Sequence, residues 1–203
     1  MIRLARDGGL WTATIARPDK ANSLTAEMLE TLAEFAEEAA QEARVLVITG
    51  EGKVFSAGAD LDQARAGLAT SPLWERLSFA IASAPILTIA ALNGTLAGGA
   101  FGMALACDLR LAVPGAKFFY PVMKLGFLPQ PSDPKRLAVL VGPARAKMIL
   151  MAGQKIEVEE ARAWGLVDRI VAPEALADTV QTLAADALAA DAAHVAGIKR
   201  LFG

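Results

Sequence analysis

The chain has 203 residues, 54% of them apolar, and 20 Lys and Arg against 22 Asp and Glu give a formal net charge of -2. That length suffices for one well-buried domain, and interspersed charges of both signs leave no electrostatic footprint for nucleic acid. A single cysteine, Cys107, excludes an intrachain disulfide, and with no signal peptide in the sequence it leads to the expectation of a reducing cytoplasm.

Residues 2–6 and 10–16 read as a β-hairpin turned at Gly8-Gly9, with Arg17-Pro18 ending it. Thr25 is a candidate N-cap for a helix whose apolar stripe runs Met28, Leu32, Phe35, Ala36, Ala39, with glutamates opposite. Residues 45–49 are an apolar strand of the kind covered on both faces. After it, Ser56-Ala57-Gly58-Ala59 is a stretch of bare backbone, and Asp60 begins a helix. Residues 72–84 suit an amphipathic helix with Leu73, Leu77, Ala80 and Ile81 inside.

Residues 86–92 are a second buried strand, broken at Asn93-Gly94 by a pair suited to positive φ. Gly98, Gly99, Ala100, Gly102, Ala104 and Ala106 then form a small-residue helix. Its N-terminus offers unpaired N–H groups at which partial negative charge is welcome. The same composition also serves a tightly packed core helix, and the residues alone leave both readings open. The uncharged run 85–107 is long enough to cross a bilayer. Its division at Asn93-Gly94, within a chain that alternates apolar and charged amphipathic segments, argues against a membrane span.

Residues 108–113 and 117–120 read as short strands. Ser132 or Asp133 before Pro134 starts a helix, and Pro143 opens another that closes near Gly153. Residues 156–164 form a third, capped by Gly165. A last strand at 168–171 and an alanine-rich helix from 174 to about 190 complete an α/β pattern. Cys107 is expected in the core, and the only histidine, His194, in a surface or packing role.

Six stretches in order resemble the crotonase, or enoyl-CoA hydratase/isomerase, family. They are RPDKANSLT (17–25), VLVITGEGKVFSAGADL (45–61), ILTIAALNGTLAGGAFGMALACDLRLA (86–112), KLGFLP (124–129), RLAVLVGPARAKMILMAGQKI (136–156) and EEARAWGLVDRIV (159–171). The resemblance implies the α/β spiral of ββα units of the ClpP/crotonase fold. Residues 1–190 would be the core, and 191–203 the start of a C-terminal helical region that is cut short. It implies an acyl-CoA thioester as substrate, with coenzyme A as part of that substrate and no separate cofactor. A homotrimer or dimer of trimers, no membrane partner and a place in fatty acid metabolism are likewise expected.

By the same resemblance, the backbone N–H groups of Ala59 and Gly99 form an oxyanion hole for a thioester enolate. Lys20, Ala21, Asn22, Leu24 and Ala57 line the coenzyme, Lys20 as a phosphate contact, with Asp60, Gly98 and Gln130 beside the substrate. The departures carry information too. The two glutamates of the family's hydratases are replaced by Gly102 and Val122, the aspartate position of other members is Gln130, and QPSDPKRL stands in place of GAGGTQRL. Without those carboxylates water addition loses its acid and base, each worth about 10²- to 10⁴-fold.

What remains near the acyl end is Tyr120, Lys124, Gln130, Ser132 and Asp133, with Asp60 and Asp62 on the first loop. Tyr120 and Asp133 are the candidate proton donor or acceptor. Each also has a structural reading, Asp133 as a helix cap and Tyr120 as a half-buried strand residue. The expected function is an acyl-CoA-processing lyase or isomerase, with isomerisation or decarboxylation favoured over hydration. The alternative is a non-catalytic acyl-CoA-binding subunit. A serine peptidase of related fold is disfavoured, because no serine stands near Gly99.

Overall fold

Two glycines at 8 and 9 turn β1 (Ile2–Asp7) back on β2 (Leu10–Ile15) as an antiparallel hairpin in the computed structural model, which describes residues 1–202. The Thr25 hydroxyl accepts from the Met28 N–H and starts α1 (Ala26–Glu42), whose buried stripe of Met28, Leu29, Leu32, Phe35, Ala36 and Ala39 follows the helical period. The chain continues through β3 (Val45–Gly50), β4 (Val54–Ser56), α2 (Leu61–Arg65), α3 (Leu73–Ser83), β5 (Leu87–Leu92) and β6 (Thr95–Ala97). A 3-10 turn, Gly98–Ala100, leads into α4 (Phe101–Ala106), every residue of which is buried.

Next come β7 (Leu109–Ala112), β8 (Lys117–Phe119), α5 (Val122–Leu125), α6 (Asp133–Val141) and α7 (Pro143–Leu150). The chain closes with β9 (Ile156–Glu157), α8 (Val158–Trp164), β10 (Arg169–Ile170), α9 (Leu176–Ala189) and α10 (Ala192–Arg200).

Strands β1-β2-β3-β5-β7-β10 form one sheet and β4-β6-β8-β9 the other. After the hairpin, the passes beginning at β3, β5 and β7 each place one strand in the large sheet, the next in the small one, and return through a helix. The parallel strands β3 and β5 are uncharged and mainly apolar because both faces are covered. Helix α1 packs on α3, α3 on α4 and α4 on α6. These passes bring the segments after β4, β6 and β8 to one side of the small sheet.

Several local expectations are corrected. Neither Asn93 nor Gly94 has positive φ. Asn93 instead bridges strands through its side chain, accepting from the Gly50 N–H (2.9 Å) and donating to the Gly52 carbonyl (3.0 Å). Glycine is required at 94 because a Cβ there would collide with the Lys53 carbonyl. The small-residue helix is preceded by β6, and Ile156-Glu157 pairs antiparallel with β8 rather than beginning a helix. A three-residue strand is shorter than a readable alternation.

Tyr120 lies beyond the end of β8 and is buried, not half-buried on a strand. Cys107 is buried, and burial pushes its thiol up to about 12, while His194 is exposed. Residues 192–200 form a helix, and the Lys199 Nζ donates to the Ile86 carbonyl and the Asp108 carboxylate, both at 2.9 Å. Among the described residues no helix is long and apolar enough to cross a membrane, and no group of three or more His, Cys, Asp or Glu side chains could hold a metal ion.

Candidate active site

The two bare-backbone stretches meet. Leu24 bonds to both sides of Ala59, its N–H to the Gly58 carbonyl and its carbonyl to the Asp60 N–H, each at 2.8 Å. This parallel-ladder pattern turns the Ala59 N–H away from Leu24. Gly58 has φ +91°, and a Cβ on it would stand 3.0 Å from the Ala97 carbonyl and 3.3 Å from the Gly99 nitrogen. Only glycine allows so close an approach at that dihedral.

Gly99 lies in the first turn of the 3-10/α4 segment, where N–H groups have no intrahelical acceptor. Neither the Ala59 nor the Gly99 N–H donates to another protein group among the described residues. Both residues line one apolar cavity of about 120 Å³, together with Ala57, Gly98, Trp74, Tyr120, Gln130, Leu125 and Phe127. Two main-chain donors at the wall of a mainly apolar cavity are suited to an oxygen that gains negative charge.

The second half of the site is a buried pair. The Tyr120 hydroxyl donates to the Asp133 Oδ2 at 3.0 Å and accepts from the Gln130 N–H at 3.4 Å. Asp133 is 0% exposed, and its Oδ1 has no hydrogen-bond partner among the described residues. That oxygen stands 3.0 Å from where a Cβ on residue 102 would be. The carboxyl brought by α6 thus occupies the space that a side chain on α4 would fill, and the glycine at 102 makes room for it.

Burial pushes the Asp133 carboxyl up to about 7, against the opposing effect of the Tyr120 hydrogen bond, and the Glu75 charge adds to the rise. Burial raises the Tyr120 phenol as well. A carboxyl poised near neutrality and hydrogen-bonded to a cavity-lining phenol can take up or release a proton through that phenol.

Other sequence candidates fall in different places. Asn22 is fully buried; its side chain accepts from the Arg17 N–H (2.8 Å) and donates to the Glu51 (2.9 Å) and Val54 (2.7 Å) carbonyls. Leu24 is fully buried beneath Ala59. The side chains of both are enclosed in protein, where each shapes the wall from behind.

Asp60 caps α2, accepting from the Asp62 and Gln63 N–H groups, and accepts from Arg17 Nη1 at 2.8 Å, which holds its carboxyl below the usual range. Its role is to fix the turn that follows Ala59. Lys20 is exposed at the end of a 3-10 turn, with Ala21 next to it at φ 50°. Asp62 and Lys124 are exposed, and Ser132 bonds to Glu75. Asp133 does not cap α6: its carboxyl faces Tyr120 and Gly102.

The sequence named Tyr120 and Asp133 separately but missed their pairing and missed Trp74. The readable signal was the double departure, glycine at 102 together with aspartate at 133.

Residues 5–202 match the family model described as enoyl-CoA hydratase/isomerase. A carnitinyl-CoA dehydratase of Citrobacter koseri is 36% identical over 99% of this chain and 79% of its own length. A protein of the same name from Salmonella gallinarum is 35% identical with the same coverage. The crystal structure of an enoyl-CoA hydratase from Bacillus anthracis superposes with a TM-score of 0.90 at 29% identity, covering 98% of this chain and 81% of that one. The fold, the converging backbone donors and these matches agree: the chain belongs to the enoyl-CoA hydratase/isomerase family of acyl-CoA-processing enzymes.

Proposed function

We propose that the chain moves the α-proton of an acyl-CoA thioester, with the thioester oxygen seated on the Ala59 and Gly99 N–H groups and the proton handled by the Tyr120–Asp133 pair. The observation that carries this reading is the fully buried Asp133 carboxyl held against Gly102 and joined to the cavity through Tyr120.

The proton leaves the α-carbon for the phenolic oxygen as the phenol's own proton passes to Asp133 Oδ2, and the electron pair is delocalised onto the thioester oxygen. Each backbone donor to that enolate is worth about 3 kcal/mol. Return of the proton to a conjugated carbon completes an isomerisation, while return to the α-carbon is exchange; cleavage of the bond from the α-carbon to a carboxylate releases CO2 and leaves its electron pair as the same enolate, whose protonation by the pair completes a decarboxylation. Both need one proton-handling group, whereas hydration calls on an acid and a base, and positions 102 and 122 supply no carboxylate. Coenzyme A is part of the substrate here, and the reading needs no separate cofactor. Ala57, Gly98 and Gln130 line the acyl cavity, while Lys20 and Ala21 serve the coenzyme's nucleotide end.

The test is deuterium uptake at the α-carbon of saturated acyl-, enoyl- and malonyl-type CoA thioesters in D2O. Uptake on one class, falling about 10²- to 10⁴-fold in Asp133→Asn and in Tyr120→Phe, supports the reading. Uptake unchanged in both variants removes the pair from the chemistry. No uptake with thioester binding retained points to a non-catalytic binding subunit. A second reading, elimination of water from a β-hydroxyacyl thioester, is favoured by the names of the dehydratase relatives; formation of enoyl absorbance from such a thioester distinguishes it.

A further inference from the structure

Outside the cavity, a chain of hydrogen bonds ties three helices together around Asp133. Ser132, the residue before it, is held twice by Glu75 of α3: its N–H (3.2 Å) and its hydroxyl (2.9 Å) both donate to Glu75 Oε1. Arg136, one turn further along α6, donates from Nη1 to the Ser132 hydroxyl (2.8 Å) and to the hydroxyl of Ser78. Ser78 is buried on α3 and donates to the Gly102 carbonyl of α4 (3.3 Å). The network therefore begins beside Asp133 and ends on the residue whose missing side chain makes space for it. None of its four side chains lines the cavity that Tyr120 lines.

We infer that Glu75 and Arg136 are positioning residues for the proton transfer, locking the Ser132–Asp133 turn to α3 and α4 so that the Asp133 carboxyl stays on Tyr120 and over Gly102. The inference rests on the proton-handling role given to Asp133 above. Helix α6 starts without a side-chain cap of its own, and the Glu75 carboxylate replaces one from a neighbouring helix, accepting an N–H that would otherwise lack a partner. Because Ser132 is bonded both to Glu75 of α3 and to Arg136 of α6, the turn is tied to α3 as well as to its own helix.

The lock is also charged. The titratable and charged groups facing the Asp133 carboxyl are Tyr120, Glu75 and Arg136, and α4, packed on the Gly102 side, carries none. Glu75 makes Asp133 hold its proton more firmly and Arg136 less so. Removing the two charges one at a time must therefore move Asp133 in opposite directions, which a purely steric scaffold would not do.

The experiment follows the Asp133 carboxyl by carbon NMR in full-length protein labelled at the aspartate carboxyl, with Asp133→Asn to assign the signal, alongside the pH dependence of α-proton exchange. Glu75→Gln keeps an oxygen for Ser132 and loses the charge; the midpoint should fall by roughly half a unit or more, while Arg136→Gln should raise it by a similar amount. The exchange profile should shift with it and KM should stay within about twofold. Glu75→Ala, which also loses the hydrogen bonds, should lower kcat about tenfold with KM unchanged, and Glu75→Gln should restore most of that loss.

The inference is overturned when both glutamine variants leave the midpoint in place, or when they move it the same way. Where Arg136→Gln loses the native spectrum, Glu75→Gln alone decides. Parental exchange in Asp133→Asn would sink the functional reading instead, and the carboxyl titration would still judge the positioning role.

Discussion

Asp133 is an expensive residue to keep, and its cost has a sign. Its carboxyl titrates near 7 in the fold against about 3.9 in an unfolded chain. Between those values the folded state binds more protons than the unfolded one, so this group lowers stability as pH rises from about 4 to about 7 and lowers it no further above that. Asp133→Asn, which retains an oxygen for the Tyr120 hydroxyl, should therefore be more stable than the parent at pH 8 by up to about 4 kcal/mol, with the advantage vanishing toward pH 4. Denaturant midpoints at the two pH values check this. A parent more stable than the variant at pH 8 would mean that Asp133 is not held as a strained buried acid. The sequence showed aspartate next to proline and made it a cap candidate. Only the position of Gly102 opposite distinguishes that role from a buried acid, and the two residues stand 31 positions apart.

Elements decide the candidate oxyanion hole, because both proposed donors are main-chain groups and only backbone placement brings them together. Gly58 holds the two stretches in contact at φ +91°. Gly58→Ala would introduce left-handed strain and drive a methyl against the Ala97 carbonyl and the Gly99 nitrogen. The expected outcome is a stability loss of about 1–3 kcal/mol and a fall in α-proton exchange of about 10²- to 10³-fold from a displaced donor; chemical denaturation and the exchange assay read them separately. Exchange at the parental rate would show that the two N–H groups are not used together. The long helices and the runs of β3 and β5 were legible as patterns of period 3.6 and as continuous apolar segments. The three-residue strands β4 and β6 were not, since their stability comes from ladder partners distant in sequence rather than from local preference.

Across the whole molecule, α10 returns to the large sheet through one side chain. Lys199 reaches the Ile86 carbonyl before β5 and the Asp108 carboxylate before β7, and the same carboxylate accepts from the Thr88 N–H and hydroxyl. The helix buries no residue fully, so this polar tie is its main anchor. Lys199→Met should cost about 1 kcal/mol in a denaturant titration and raise amide exchange in residues 192–200 first. Deuterium uptake into the thioester should be unaffected. Unchanged protection of α10 would show that it is held by packing instead.

The sequence by itself determined the α/β class, the order of most elements, the family and the candidate oxyanion residues, because these follow from periodicity and from collinear motifs. Tertiary structure alone decided the meeting of Gly58 with Gly99, the seating of Asp133 in the space beside Gly102, and the Glu75–Ser132–Arg136–Ser78 lock. Each of these joins residues from separate ββα passes, and a one-dimensional pattern carries no information about which small residue faces which charged one until the helices are packed.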